Sequence, residues 1–236
     1  MRIGYDAKRA FTNFTGLGNY SRDTIRILSS FFNKNDYVLY TPSNKVNDRL
    51  DFLKKQSNIS IRSPHKLLDK IFSSYWRTKN ILNDIKKDNI DIYHGLSHEL
   101  PIGIENTKIK TIVTIHDLIY LRYPNLFSSI DLKIYDKKFR SACKRADKII
   151  AVSKQTKQDI INFFSIDEKK IEVVYQGCNQ FFKKSDCNNY EHIKNKFGLF
   201  NKYLLYVGSI EKRKNLHTLL EALKDMPNKK LIIIGN

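Results

Sequence analysis

Tyr203 to Asn215 reads YLLYVGSIEKRKN. Its apolar opening, Tyr203 to Val207, is a strand pattern that stops at Gly208. A short polar loop containing Ser209 then delivers Arg213 and Lys214. Leu216, Leu219, Leu220 and Leu223 follow at helical spacing. A cation pair therefore stands where a strand ends and a helix begins. A helix start offers unpaired backbone N–H groups and partial positive charge, so this junction suits a phosphate or diphosphate. Lysine is common throughout the chain, but the order strand, glycine, serine, cation pair, helix is more than composition.

Upstream, strand and helix patterns alternate in the same way. Arg2 to Asp6 reads as a strand, Ala7 to Thr15 as a long loop, and GLGNY (Gly16 to Tyr20) as the opening of a helix. Tyr37 to Thr41 and Asn58 to Arg62 read as strands, and Lys66 to Lys87 as a long amphipathic helix through Leu67, Ile71, Tyr75, Leu82 and Ile85. Further strands are expected at Ile90 to His94, Lys110 to Ile115, Lys148 to Val152 and Lys170 to Tyr175. Helices are expected over Ser129 to Arg145 and Lys154 to Phe164. This alternation predicts an α/β fold with a parallel, doubly wound sheet. QGCNQFFKKSDCNN, beginning at Gln176, has turn character without periodicity. The expected organisation is an N-terminal domain over 1–175, a linker over 176–190 and the start of a second α/β domain over 191–236. One βαβ unit cannot bury both faces of its sheet, so that second domain is expected to be incomplete in this sequence.

The 236 residues carry 42 Lys and Arg against 24 Asp and Glu, a formal charge of +18. Such an excess attracts anions without choosing among nucleic acid, membrane and phosphorylated substrates. A hydrophobic content of 41% supports a core. No apolar run is long enough to span a bilayer, and the N-terminus turns polar too soon for a secretory signal. Cys143, Cys178 and Cys187 form no CxxC pair, which points to free thiols and a cytoplasmic setting.

Gly16 and Gly18 lack side chains, so GLGNY could lay amides, and the Asn19 side chain, against a phosphate; equally, the glycines could serve the turn alone. The long loop before Gly16, and the absence of an acid after Tyr40, argue against a dinucleotide site. His116 and Asp117 end the strand TIVTIHD, where doubly wound sheets line their ligand crevice. Asp117 could orient the imidazole, or His116 could simply hydrogen-bond a ligand hydroxyl. Ser153 ends another strand. His94 and His98, four apart in HGLSHE, fit a metal pair poorly because Gly95 and Pro101 oppose a helix there. On the helix from Leu132, the cations Lys133, Lys137, Arg140 and Lys144 share a face suited to anionic lipid headgroups. Nucleic-acid reading motifs are not seen.

Together TGLGNY, TIVTIHDLIYLRYP, RADKIIAVSKQTKQDI, YQGCN and YVGSIEKRKNL resemble, in order and spacing, the retaining glycosyltransferases of the GT-B fold, glycosyltransferase family 4. YQGCN departs from the family's usual PNGVD. The resemblance implies a complete N-terminal Rossmann-like domain facing a second one, here only begun. It implies transfer of a hexose-type sugar from a nucleotide-diphosphate sugar to a glycan or lipid-linked acceptor in cell-surface polysaccharide synthesis. The resemblance also implies that no cofactor or metal is required. By analogy His116 contacts the transferred sugar, Gly16 and Gly18 lie near the donor phosphates or the acceptor, and Arg213 and Lys214 neutralise the diphosphate. The family's downstream acidic segment, E-x7-E, is not in this sequence, so residues 1–236 alone are expected to be weak or inactive. The competing reading is a non-enzymatic basic α/β module that binds an anionic surface or polymer.

Overall fold

A computed structural model describes residues 1–43, 48–178, 182 and 190–235. The chain forms two compact units, Met1–Gly177 and Cys178–Asn236. The expected linker and Cys187 lie largely or wholly outside the described residues.

In the first unit, β1 (Arg2–Asp6) leads into α1 (Lys8–Thr12) and α2 (Gly16–Phe31), followed by β2 (Asp36–Tyr40) and β3 (Ile59–Arg62). The segment after β3 holds α3 (Leu67–Ile71), α4 (Ser73–Tyr75), a π-helical turn over Trp76–Asn80, and α5 (Ile81–Lys87). Next come β4 (Ile92–Gly95), β5 (Lys110–Ile115), α6 (Ile119–Arg122), α7 (Ser129–Arg145), β6 (Lys148–Ala151), α8 (Lys154–Phe164) and β7 (Ile171–Val173). All seven strands pair in parallel in the order β3-β2-β1-β4-β5-β6-β7.

Strand periodicity separates two cores. Along β2, Val38 and Tyr40 join Trp76, Ile81, Ile85, Val113 and Ala142 in one cluster. Tyr37 and Leu39 join Tyr5, Phe11, Ile25 and Leu50 in another. Alternate side chains point to opposite faces of a strand, so a strand apolar at every position has both faces covered. Cys143 is buried in the first cluster, which pushes its thiol up to about 12; Cys178 is exposed.

Two expectations fail here. The loop over Ala7–Thr15 contains α1, whose Ala10 and Phe11 are buried. The helix over Lys66–Lys87 is broken at Phe72 (φ −98, ψ 50) and again by the π turn. Adjacent Trp76 and Arg77 are both buried. The indole Nε1 donates to Asp84 at 2.8 Å, while Arg77 reaches Asp6 at the end of β1. Neighbours in a regular helix diverge by about 100°, and the wider turn lets both go inward. Leu67, Ile71 and Tyr75, expected on a buried face, are instead 73%, 64% and 52% exposed.

The second unit contains α9 (Tyr190–Phe197), β8 (Leu204–Val207), a 3-10 turn over Lys212–Lys214, α10 (Leu216–Lys224) and β9 (Leu231–Ile234). Strands β8 and β9 are parallel, and Leu205, Val207 and Ile234 on them are exposed.

Candidate active site

Strand order reverses between β1 and β4, and in such sheets ligands bind outside the carboxyl ends of the strands at that point. Asp6 ends β1, Gly95 ends β4, and His116 follows β5.

The glycine turn beside β1 is organised by a side chain the sequence did not flag. Asn13 Oδ1 accepts the amides of Thr15 (2.9 Å) and Gly18 (3.0 Å). Arg22, buried within α2, donates to the carbonyls of Ala10 and Asn13, both at 2.8 Å, and to Asn19 Oδ1 at 2.6 Å. A side chain on Gly18 would run into the Asn13 carbonyl, whereas one on Gly16 would meet open space. The glycines thus differ: Gly18 permits close backbone packing, and Gly16 faces outward. Asn13 satisfies the Gly18 amide and Arg22 occupies the Asn19 oxygen. Among these first-turn donors, which lack intrahelical acceptors, the amides of Gly16 and Leu17 have no acceptor among the described residues.

His116 is buried, with Tyr20 edge-on at 4.7 Å between ring centroids and His98 at 5.1 Å. Its Nε2 lies 3.0 Å from the Leu96 carbonyl. A carbonyl only accepts, so the proton sits on Nε2 and Nδ1 carries a lone pair. The Gln176 side-chain amide donates to that lone pair at 3.3 Å. Burial lowers the pKa, against the Leu96 bond and the nearby Asp117 charge, so the ring is neutral at pH 7. Asp117 does not hold the imidazole: its exposed carboxylate accepts the Ile119 amide at 3.3 Å. Ser153 caps α8 by accepting the Thr156 amide at 3.0 Å, and the Thr156 hydroxyl donates to the His116 carbonyl at 3.1 Å. Its role is to fix the backbone next to the histidine.

His94 and His98 go their separate ways. His94 Nε2 meets the Thr114 hydroxyl at 2.8 Å, and that hydroxyl also meets Tyr20 at 3.0 Å. His98 stacks on Phe139 with centroids 4.1 Å apart. Burial holds His94 down at about 3 and His98 well below the usual histidine range. Among the described residues no group of His, Cys, Asp or Glu is placed to hold a metal.

A charged network went unread in the sequence because its members are far apart in the chain. Arg77 donates to Asp6 at 2.9 Å and to Glu99 at 2.6 Å, and Lys138 lies 3.3 Å from Glu99. Burial would weaken the guanidinium charge, but the Asp6 and Glu99 carboxylates outweigh it and raise its pKa. Glu99 is likewise held below its usual value by Arg77 and Lys138, against burial. A cavity of about 540 Å3 bordered by Lys86, Asn89, Asn106 and Lys108 opens instead at the amino-terminal end of β4 and β5, with no acid or histidine in its lining.

In the second unit, Arg213 and Lys214 lie on the 3-10 turn just before α10. Glu211 accepts from Ser209 Oγ at 2.6 Å and from Arg213 at 2.9 Å, and these donors hold its carboxyl below the usual range. Ser209 therefore orients the acid that aims Arg213. Asn215 takes a left-handed φ of 52°, which asparagine tolerates, and turns the chain into α10. Gly235 at the end of β9 has no room for a side chain against the Gly208 carbonyl, so the strand ends pack tightly beside the turn.

The profile of Glycosyltransferase Family 4 matches residues 15–180. The O-antigen chain mannosyltransferase RfbU of Salmonella typhimurium is 26% identical over 202 residues, covering 84% of this chain and 48% of the relative. The O-antigen chain mannosyltransferase B of Escherichia coli is 26% identical over 137 residues, 58% of this chain and 35% of that one. The chain thus spans about half or less of the length of these curated relatives. Anabaena Alr3699/HepE, solved with UDP and glucose, superposes with a TM-score of 0.67 at 14% identity, over 99% of this chain and 60% of that one. WaaG, a glycosyltransferase involved in lipopolysaccharide biosynthesis, gives 0.64 at 14% identity, over 100% and 63%. These structures share the GT-B fold with the present chain. The ordered motifs, the parallel sheet and the match across most of the first unit agree: the chain belongs to glycosyltransferase family 4.

Proposed function

We propose that the protein transfers a hexose-type sugar, with retention of anomeric configuration, from a nucleotide-diphosphate sugar to a glycan or lipid-linked acceptor in cell-surface polysaccharide synthesis. The observation that carries this reading is the family match over 15–180, which contains the neutral, buried His116. It is supported by relatives named as O-antigen mannosyltransferases. A neutral ring with its proton locked on Nε2 offers Nδ1 as an acceptor. A sugar hydroxyl replaces Gln176 there. Breaking the donor's glycosidic bond builds negative charge on the diphosphate, and Arg213 and Lys214 stabilise that charge as it develops. His116 then binds and orients the sugar without acting as a base. The test is incubation of the full-length protein with a panel of nucleotide-diphosphate hexoses and lipid-linked glycans. Nucleoside diphosphate should be released with a product of unchanged anomeric configuration. Release from none of the donors, or an inverted product, would contradict the reading.

Contact with an anionic membrane belongs to the same proposal; of the α7 face read in the sequence, Lys133, Lys137 and Lys144 are exposed, and a second surface joins it. On α7, Arg140 is tied to Asp136 and to the Phe163 carbonyl, and Tyr135, Phe139 and Ala142 pack inward. On that second surface, exposed Leu67, Leu68, Ile71, Phe72 and Tyr75 sit among exposed Lys66, Lys70 and Lys79. Apolar side chains between cations fit a bilayer interface. Flotation with vesicles rich in anionic lipid should carry the protein upward. Leu68→Glu with Phe72→Glu should weaken binding by about tenfold or more, since each side chain buries on the order of 1.5–3 kcal/mol of apolar surface. Unchanged flotation of that variant would remove this surface from consideration.

A further inference from the structure

We propose that Lys8 and Arg9 form a binding subsite for an oxyanion of the acceptor, at the reversal point between β1 and β4. The subsite rests on the transferase reading only for the identity of its ligand. Both residues open α1 just past Asp6 and Ala7, so β1 delivers them to the carboxyl end of the sheet, and both are half-buried.

The charges around them do not balance. Asp6 takes Arg77 and the Lys8 backbone amide, the latter at 3.2 Å. Glu99 takes Arg77 and Lys138. Both acids are thus committed. Among the described residues neither the Lys8 ammonium nor the Arg9 guanidinium has an ion pair or side-chain hydrogen bond. Burial, together with Arg77 and Arg9, lowers the Lys8 pKa, against the weaker pull of Glu99 and Asp6.

Hydrogen-bonding capacity is lopsided in the same direction. Arg77 Nε, a donor only, is buried without a partner; His98 Nδ1 is also buried without one, and it donates in the tautomer that carries the proton there. His98 feels the positive charge of Arg9 as well as that of His116. This corner has more donors and cations than acceptors and anions. An oxyanion corrects both excesses: guanidinium grips it with a planar fork, and ammonium adds a point charge. A phosphate of a lipid-linked acceptor and a carboxylate of an acidic sugar share that chemistry.

The experiment follows the ring resonances of His98 and His116 in full-length protein labelled at histidine. Inorganic pyrophosphate, glucuronate and a nucleoside diphosphate are titrated separately. His98 should shift saturably with pyrophosphate, glucuronate or both, which identifies the source of the oxyanion. Lys8→Gln with Arg9→Gln keeps much of the packing and should weaken that response by about tenfold or more, given the strength of charge-assisted bonds. Arg213→Ala with Lys214→Ala should leave it intact. No His98 response, a response unchanged in the Lys8 and Arg9 variant, or one specific to the nucleoside diphosphate would each overturn the proposal. The measurement is independent of turnover. A protein that binds pyrophosphate here but releases no nucleoside diphosphate keeps the subsite and loses the transferase reading. An active protein with a silent His98 does the reverse.

Discussion

Replacing Arg213 and Lys214 together by alanine should lower the turnover of the full-length protein by about 10²–10³-fold or more, the range seen when one preorganised donor to developing charge is removed. The fold should be unaffected, because the pair sits on an exposed 3-10 turn and contributes no buried side chain. The chemical step should suffer more than ground-state binding, since negative charge on the leaving diphosphate grows along the reaction. Arg213→Lys separates charge from shape. It keeps the positive charge but loses the fork that Glu211 now grips at 2.9 and 3.2 Å, so its activity should fall between wild type and the double variant. Nucleoside diphosphate release with saturating donor is the measurement. A double variant that keeps wild-type turnover would show that the leaving group is stabilised elsewhere.

Acid should destabilise the first unit well before its carboxylates titrate. His94 and His98 stay neutral when folded, His94 down to about pH 3. In the unfolded chain each takes up a proton near pH 6.5. As pH falls below that value, the unfolded state gains protons that the folded state refuses, so stability drops. At pH 5 His94 costs about 2 kcal/mol, and His98 adds to that in the same direction, out of a typical total of about 5–15 kcal/mol. His116 lies beside both rings, and the Arg9 charge further opposes protonation of His98. Glu99 acts at lower pH. Its folded pKa is depressed by Arg77 and Lys138, so its stabilisation holds above the unfolded value and is lost as pH falls through the folded one. Urea unfolding at pH 7.5 and pH 5 checks the sum. His94→Gln can keep a hydrogen bond to Thr114 and should remove a substantial part of the pH dependence, about 2 kcal/mol between the two pH values. Equal stability at the two pH values would mean that the histidines take up protons in the folded state.

Much of the site was legible because chemistry-bearing residues follow strand ends, and strand ends can be read from local periodicity. β1 and β5 fall where TIVTIHD and RIGYD place them, and α7 and α8 match their predicted limits. The positions of His116 after β5 and of Arg213 and Lys214 between β8 and α10 were read in this way. Their partners were not. Arg77 is 71 positions from Asp6 and 22 from Glu99, and Gln176 is 60 from His116. Such pairs leave no local pattern. The expected helix over Lys66–Lys87 failed for the same reason. Its apolar spacing is helical, but the pull of Asp6 on Arg77 and of the core on Trp76 imposes a π turn that spacing cannot announce.

The sequence by itself determined the parallel α/β architecture and the positions where polar groups emerge from the sheet, because alternating periodicities are properties of short segments; the family followed from the resemblance of its ordered motifs. Only the tertiary structure decided what those groups are free to do. It showed the His116 proton fixed by Leu96, the Gly18 amide taken by Asn13 and Ser153 spent on a helix cap. It also showed Asp6 and Glu99 bonded to Arg77 and Lys138, leaving Lys8 and Arg9 with no ion pair of their own among the described residues. Hydrogen bonds and ion pairs join residues across the fold, and each bond made withdraws a group from the chemistry its sequence neighbourhood suggests.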